Sequence, residues 1–422
     1  MIIFQFFCVS RTKPENKIMS TSFIYHAFGL RDYIYKTVHF IEGTLTFEIV
    51  PKPEAIKCPE CNSKSVTRKG IMKRRLRTIP IGSKPVILKT IIQRVWCPIC
   101  KFVRQINLSF AKEGKSYTRA FERYVLELSK FMTIKDIADH LHISWDTIKQ
   151  IQKAHLQKRY KSIPLKKVRQ IAIDEISIGK GHQYLTIVMD LETGRILYVG
   201  DGKGGDALKS FWKKVKISKA KIEAISIDMS PAYLSSVIEN MSGSTIVFDR
   251  FHVVKLFNDK LSEFRRNLHK HLSDKAEQEL IKGTRWLLLK NPENLQKNKG
   301  EHEQLQKALE INQPLSTVYY MKEELRQIWS QDSKETAEKV LSNWINLANA
   351  SDIPMLKKFA KTLALHKIRI LSYYNYTIST GPLEGTNNKI KTMKRKAYGY
   401  RDFEFFKLKL LDLHNKKYAL IG

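Results

Sequence analysis

Acidic residues are scarce in this sequence. Against 74 Lys and Arg there are only 41 Asp and Glu in 422 residues, which leaves a net charge of +33 and a pI of about 9.8. An ordinary metabolic enzyme seldom carries so much self-repulsion. The imbalance suits a protein whose partner is a polyanion, because clustered cations displace counterions from phosphates. Cysteine is scarce too, and five in this length exclude a disulfide scaffold. No apolar run approaches the ~18–20 residues that span a bilayer, so no membrane partner is expected. The apolar start, Met1–Ser10, lacks the basic n-region and small-residue cleavage site of a secretory signal. A polar stretch from Arg11 to Lys17 leads to Met19, the expected start of translation. The expected compartment is the cytoplasm. What is present is a normal globular composition, 43% hydrophobic and 10% aromatic, without internal repeats. The length predicts roughly two to four domains.

Four of the five cysteines form two pairs, Cys58-Pro-Glu-Cys61 and Cys97-Pro-Ile-Cys100, while Cys8 stands alone. Each C-x-x-C can offer two ligands from one tight turn, and four thiolates satisfy tetrahedral Zn²⁺. All four positions are cysteine, so the expected zinc is structural. The segment between the pairs alternates apolar and basic residues as a ribbon hairpin would. Residues 51–110 hold 14 Lys and Arg against Glu54 and Glu60. Within them Lys73, Arg74, Arg75 and Arg77 are candidate phosphate contacts.

The stretch TIKDIADHLHISWDTIKQIQ, Thr133 to Gln152, predicts two short helices with Ile134, Ile137, Ala138 and Leu141 on one face. Ser144 is a good N-cap for the second helix. Trp145, Thr147, Lys149 and Gln150 are left on or near its outward face, where a recognition helix meets DNA. His142 stands where such a turn usually has glycine.

From residue 166 the texture changes to short β-rich runs (IAIDEISI, YLTIVMD, RILYVG, IEAISIDM, STIVFD) around two helical stretches, an α/β arrangement. Asp174 and Asp228 each lie toward the end of an apolar strand, and Glu384 lies at the start of a helix. Adjacent strands would bring the two aspartates together. Carboxylates so grouped hold Mg²⁺ or Mn²⁺, and paired metals serve phosphoryl transfer. Glu175 adjoins Asp174 but should point to the other side of its strand. Glu384, Asn388 and Lys391, at i, i+4 and i+7, share a helix face, with Lys394, Arg395 and Lys396 following as expected phosphate contacts. Trp286, within a long helical region, is expected in a core; stacking on a splayed base is the other reading.

Taken together and in order, CPEC…CPIC, the two-helix motif, IDE with GHQYLTIVMDLETGRIL, IDMSPAY, VFDRFHVVK and the closing GPLEGTNNKIKTMKRKAYGYRDFEFFKLKLL resemble the ISL-three family of bacterial insertion-sequence transposases, from about Met19 onward. The resemblance implies a multidomain α/β fold: a ribonuclease H-like catalytic core with an all-α insertion, preceded by a zinc ribbon and a helix-turn-helix. It divides the chain into an N-terminal segment (1–50), the zinc-ribbon module (51–110), the helix-turn-helix (111–165), the first part of the core (166–261), the helical insertion (262–365) and the core's completion (366–422). It further implies a metal-dependent DNA transposase in which Asp174, Asp228 and Glu384 hold catalytic Mg²⁺ or Mn²⁺, with gaps of 54 and 156 residues between them. The Asp249-Arg250-Phe251-His252 run is similar to the D-x-x-H motif of related families, which places Asp249 and His252 near the scissile phosphate. The implied partners are the element's inverted-repeat ends, target DNA and further copies of the chain in a homodimer or larger synaptic complex. A DNA-binding regulator, or a nuclease without strand transfer, would use many of the same parts.

Overall fold

The computed structural model describes residues 23–179, 183–378 and 381–415; Cys8 and Met19 lie outside them. The chain divides into two compact units, up to His155 and from Leu156 onward.

The first unit is built on a five-stranded sheet. After α1 (Phe23–Phe28), the hairpin β1 (Tyr33–Ile41) and β2 (Thr44–Pro51) is followed by the long hairpin β3 (Thr67–Ile81) and β4 (Lys84–Cys97), and then by β5 (Phe102–Gln105). The order is β1-β2-β4-β3, with β5 also on β4. Leu45↔Val86 and Phe47↔Leu88 pair β2 with β4 in parallel, so residues on both sides of position 50 share one sheet. Phe28, Tyr33, Phe47, Ile49, Leu76, Val86, Leu88 and Phe110 form its core. Three helices complete the unit: α2 (Arg119–Leu128), α3 (Ile134–Leu141) and α4 (Trp145–Arg159). Their shared core is Phe121, Val125, Ile137, Ala138, Leu141, Ile148 and Ile151, in agreement with the apolar spacing of the sequence.

The second unit carries the α/β core. Its strands are β6 (Gln170–Ser177), β7 (Tyr184–Asp190), β8 (Ile196–Asp201), β9 (Ala224–Ile227) and β10 (Thr245–Phe248), in the order β10-β9-β6-β7-β8. The first three are antiparallel to one another, while β9 and β10 join parallel to β6. That is the ribonuclease H-like arrangement. Helices α5 (Lys209–Ser218) and α6 (Pro231–Asn240) flank β9 in sequence, and α7 (Arg250–His271) leaves the sheet after β10. Helices α8 (Lys275–Gly283), α9 (Glu301–Ile311), α10 (Gln313–Gln327), α11 (Lys334–Ala350) and α12 (Pro354–Leu371) follow without a strand. Phe257 of α7 sits edge-on to Trp344 of α11 and Phe359 of α12, with ring centroids 5.9 and 5.0 Å away. The helical region thus shares a core with one face of the sheet. Helices α13 (Gly381–Lys396) and α14 (Phe403–Leu411) close the chain, and α13 lies on β6 through Leu383, beside Ala172 and Met189.

Candidate active site and metal centres

The two cysteine pairs build matching knuckles. Asn62 N–H donates to the Cys58 carbonyl at 3.0 Å, and Lys101 N–H to the Cys97 carbonyl at 2.8 Å. Both residues that follow a pair, Asn62 and Lys101, are left-handed, with φ of 57° and 56°. The four sulfurs lie within 4.8 Å of one another. Cys61 and Cys97 Sγ are 3.5 Å apart, and Cys58 and Cys100 Sγ 3.9 Å. A tetrahedron with Zn–S bonds of ~2.3 Å has edges of about 3.8 Å, so the donor set fits zinc. The Cys61 N–H holds the Cys58 thiol down at about 7, while the neighbouring Cys61 sulfur pushes Cys100 up to about 12. Four such sulfurs cannot all ionise without a cation between them.

The helix pair α3–α4 is fixed at both ends of its turn. Thr133 and Asp136 form a reciprocal capping box at the start of α3. His142 takes the left-handed position, φ 48°, usually given to glycine, and its N–H meets the Ala138 and Asp139 carbonyls. Ser144 Oγ accepts from Asp146 N–H at 3.2 Å. Trp145 and Gln150 are exposed, Thr147 and Lys149 half-buried, while Ile148 and Ile151 close the core.

In the second unit β6 and β9 run side by side, with Ala172 opposite Ser226. Asp174 and Asp228 lie two residues further along each, Asp174 within β6 opposite Ile187 of β7 and Asp228 just past the end of β9. Asp174 is buried and its Oδ1 accepts from Glu175 N–H at 2.8 Å. Asp228 Oδ1 accepts from Ser230 N–H at 3.0 Å. Burial, and in smaller measure the charge of Asp174, raise the Asp228 carboxyl above its ordinary value against the pull of Ser230 N–H and His252. Burial and then the Asp228 charge raise Glu175 likewise. Glu175 alternates away from Asp174 along β6 but, at the strand's end, still shares its electrostatic neighbourhood. Asp249 caps α7 by accepting from Phe251 N–H at 2.8 Å. His252, one turn on, puts Nε2 3.6 Å from Asp249 Oδ2 and 3.8 Å from Asp174 Oδ1. The D-x-x-H spacing therefore aims an imidazole at the first carboxylate.

Helix α13 presents two different faces. Leu383, Thr386, Ile390 and Met393 are buried, and Asn387 on that side donates from Nδ2 to Asp174 Oδ2 at 2.8 Å. Glu384, Asn388 and Lys391 share a face as their spacing predicts, and all three are exposed. Among the described residues, the four cysteines are the one group of three or more His, Cys, Asp or Glu whose ligand atoms all approach within 4.8 Å. Asp174, Asp228 and Glu384 do not form such a group.

Three family profiles match the chain in order: the zinc-finger of transposase IS204/IS1001/IS1096/IS1165 at residues 54–100, the helix-turn-helix domain of transposase family ISL3 at 106–156, and a profile described as transposase at 171–410. The last covers more than half of the sequence. The chain belongs to the ISL3 family of transposases. The transposase for insertion sequence element IS1001 of Bordetella parapertussis is 30% identical over 370 residues, 87% of this chain and 91% of that protein. The transposase for insertion sequence element IS1557 of Mycobacterium tuberculosis is 27% identical over 372 residues, 82% of each. Among solved structures, the Drosophila P element transposase strand transfer complex matches with 10% identity and a TM-score of 0.36, over 71% of this chain and 90% of that one.

This transposase is thus a DNA-binding, DNA-cleaving enzyme with a structural zinc ribbon. Its other sequence-predicted contacts divide. Lys73 and Arg75 are exposed. Arg74 Nη2 donates to the Lys115 carbonyl and Arg77 Nη2 to that of Leu141, each at 2.8 Å, so both guanidiniums also brace the first unit. Lys394 Nζ donates to the Ile178 carbonyl at 2.8 Å, while Arg395 and Lys396 are exposed. Trp286 departs from the core expectation: it is 64% exposed, with the Arg285 guanidinium 4.7 Å from its ring centroid. The turn after α8 leaves it outside the packed helices. Sequence reasoning missed Asn387, and also Lys203 and Lys255, whose charges offset those of Glu175 and Asp228 respectively. Lys255 was findable, three residues past His252. Among the described residues no helix is long and apolar enough to cross a membrane.

Proposed function

We propose that the carboxylates of Asp174, Asp228 and Glu384 form the catalytic centre and hold divalent magnesium or manganese. The observation that carries this is the pairing of β6 with β9, which sets Asp174 and Asp228 at matching positions on neighbouring strands with His252 3.8 Å from the former. The donors are hard oxygens, which fits Mg²⁺ or Mn²⁺, and burial first, with a neighbouring carboxylate in smaller measure, raises the carboxyls of Asp228 and Glu175. Bound ions would supply charge neutralisation and a more acidic water or hydroxyl. The chain's own groups do the rest. Asp174, Asp228 and Glu384 would hold the ions, His252 offers a proton donor or acceptor beside them, and Lys203 and Lys255 offset the charge that gathers there.

The zinc ribbon and α4, through Lys73, Arg74, Arg75, Arg77, Trp145, Thr147, Lys149 and Gln150, bind the element's terminal inverted repeats, with Arg395 and Lys396 along the phosphates near the active site. Cleavage frees 3′-OH ends, which attack target DNA. Joining two ends requires two copies of the chain or more, in the bacterial cytoplasm where the nucleoid lies. The exposure of Trp286 beside Arg285 favours the base-stacking reading over the core one. Labelled element ends, taken from the inverted repeats flanking the gene and incubated with Mg²⁺ or Mn²⁺, test the reading. Joined products are expected. Nicks alone would indicate a nuclease, and binding without nicks a regulator.

A further inference from the structure

The sequence spacing draws attention to Asn388 and Lys391, but the side chain of α13 that reaches the carboxylates is Asn387. Its Nδ2 donates to Asp174 Oδ2 at 2.8 Å, and its Oδ1 is buried with no hydrogen-bond partner among the described residues. A second contact lies further along the same helix, where Lys394 Nζ donates to the Ile178 carbonyl at 2.8 Å. Four strand residues from 174 to 178 span about 13 Å, and seven helical residues from 387 to 394 span about 10 Å. The two lengths are close, so α13 runs along β6 and grips it at Asp174 and just past its end at Ile178. Leu383, one turn before Asn387, rests against Ala172 and Met189 and fixes the same register.

We propose that Asn387 is a positioning residue for the catalytic carboxylates, a role that rests on the reading of Asp174 as a metal-binding acid. The other oxygen of Asp174 is already held by Glu175 N–H at 2.8 Å. With Asn387 on Oδ2, both oxygens are tethered and the carboxylate has one rotamer. The same bond locks the rotation of α13 about its axis, which determines where Glu384, three residues earlier, is presented. An amide suits this place because it donates to a carboxylate without adding charge. A carboxylate there would repel Asp174, and a lysine would neutralise it and compete with a cation. The unspent Oδ1 is moreover an oxygen of the type that ligates hard cations directly or through water.

The test is Mn²⁺ binding to the full-length, zinc-loaded protein without DNA, followed by electron paramagnetic resonance of the free ion, with thermal unfolding measured without added Mn²⁺ or chelator alongside. Asn387→Ala is expected to weaken Mn²⁺ binding about tenfold, while its affinity for element ends stays as in wild type. Ile390→Ala loosens the same helix from the core without touching Asp174; it is expected to lower the thermal midpoint and leave Mn²⁺ affinity unchanged. Asn387→Gln keeps an amide and the helix but carries the donor one methylene further. It is expected to bind Mn²⁺ a few-fold more weakly with a wild-type midpoint, which supplies the readout should the alanine variant unfold. Wild-type Mn²⁺ affinity in both Asn387 variants, or an equal loss in Ile390→Ala, overturns the positioning role. Wild-type affinity in Asp174→Ala would instead reject the carboxylate site itself, and the role of Asn387 with it.

Discussion

The zinc site and the proposed carboxylate site are organised in opposite ways. The four thiols come from two turns of identical design, and their sulfurs stand at tetrahedral spacing. The acids come from within one strand, from just past the end of its neighbour, and from a helix 156 residues further on. Among the described residues their oxygens are not gathered to the same closeness. A closed set of four soft ligands leaves no position for a substrate and suits a brace. An open set of hard ligands, with His252, Lys203 and Lys255 around it, leaves room for a phosphate. The difference is therefore one of purpose. A structural ion has to be enclosed, whereas a catalytic one has to stay reachable.

If the thiol site is a brace, its loss should be the most damaging change to the N-terminal unit. Cys97→Ser is expected to lose the stoichiometric zinc and to lower the thermal midpoint of that unit by at least about 10 °C, with DNA binding lost as well. Mn²⁺ binding at the carboxylates should persist. Zinc analysis, melting curves and gel shifts read the three quantities, and full DNA affinity in a zinc-free variant would dissolve the contrast.

The acids should show the reverse pattern. Asp174→Ala and Asp228→Ala are each expected to reduce cleavage of labelled ends on the order of a thousandfold or more. Gel-shift affinity for the ends should stay near wild type, since the binding modules lie elsewhere in the sequence. Wild-type cleavage by either variant would reject the assignment. His252→Ala should cost less, about a hundredfold, because the imidazole touches Asp174 without being a carboxylate ligand. Unchanged cleavage there would reduce the D-x-x-H arrangement to a helix cap and its neighbour.

What could be read from the sequence follows the same division. The zinc site was legible because its spacing is local: two C-x-x-C turns announce themselves without reference to the fold. The two aspartates stood out because each follows an apolar run, and β6 pairs with β9; Asp228 does follow the end of its strand, whereas β6 runs on three residues past Asp174. The limit appears on α13. Periodicity correctly groups Glu384, Asn388 and Lys391, but it cannot say which side of the helix meets the sheet; packing of Leu383 against Ala172 and Met189 decides that and selects Asn387. Arg74 and Arg77 read as phosphate contacts because their charge is visible, whereas the carbonyls of Lys115 and Leu141 that hold them are brought in by tertiary docking. Trp286 is the converse case, an aromatic that composition assigns to a core and that the turn after α8 leaves exposed.

The smallest predicted effect probes how far the thiol site is pre-formed by its backbone. Six non-glycine residues among those described have positive φ, and two of them, Asn62 and Lys101, directly follow the cysteine pairs; none adjoins Asp174, Asp228 or His252. The left-handed conformation costs an ordinary L-residue about 1 kcal/mol, while asparagine tolerates it through its short polar side chain. Lys101→Gly removes that cost, partly offset by the greater freedom of glycine in the unfolded chain. The net expectation is a stabilisation of about 0.5 kcal/mol in the zinc-loaded protein, and less for Asn62→Gly. Chemical denaturation of the two variants beside wild type measures the difference. A larger gain at Asn62 than at Lys101 would mean that backbone strain is not what separates the two knuckles. The ranking expected here, with no comparable gain available at the carboxylates, would place the fixed geometry of the thiol site in its turns before any metal arrives.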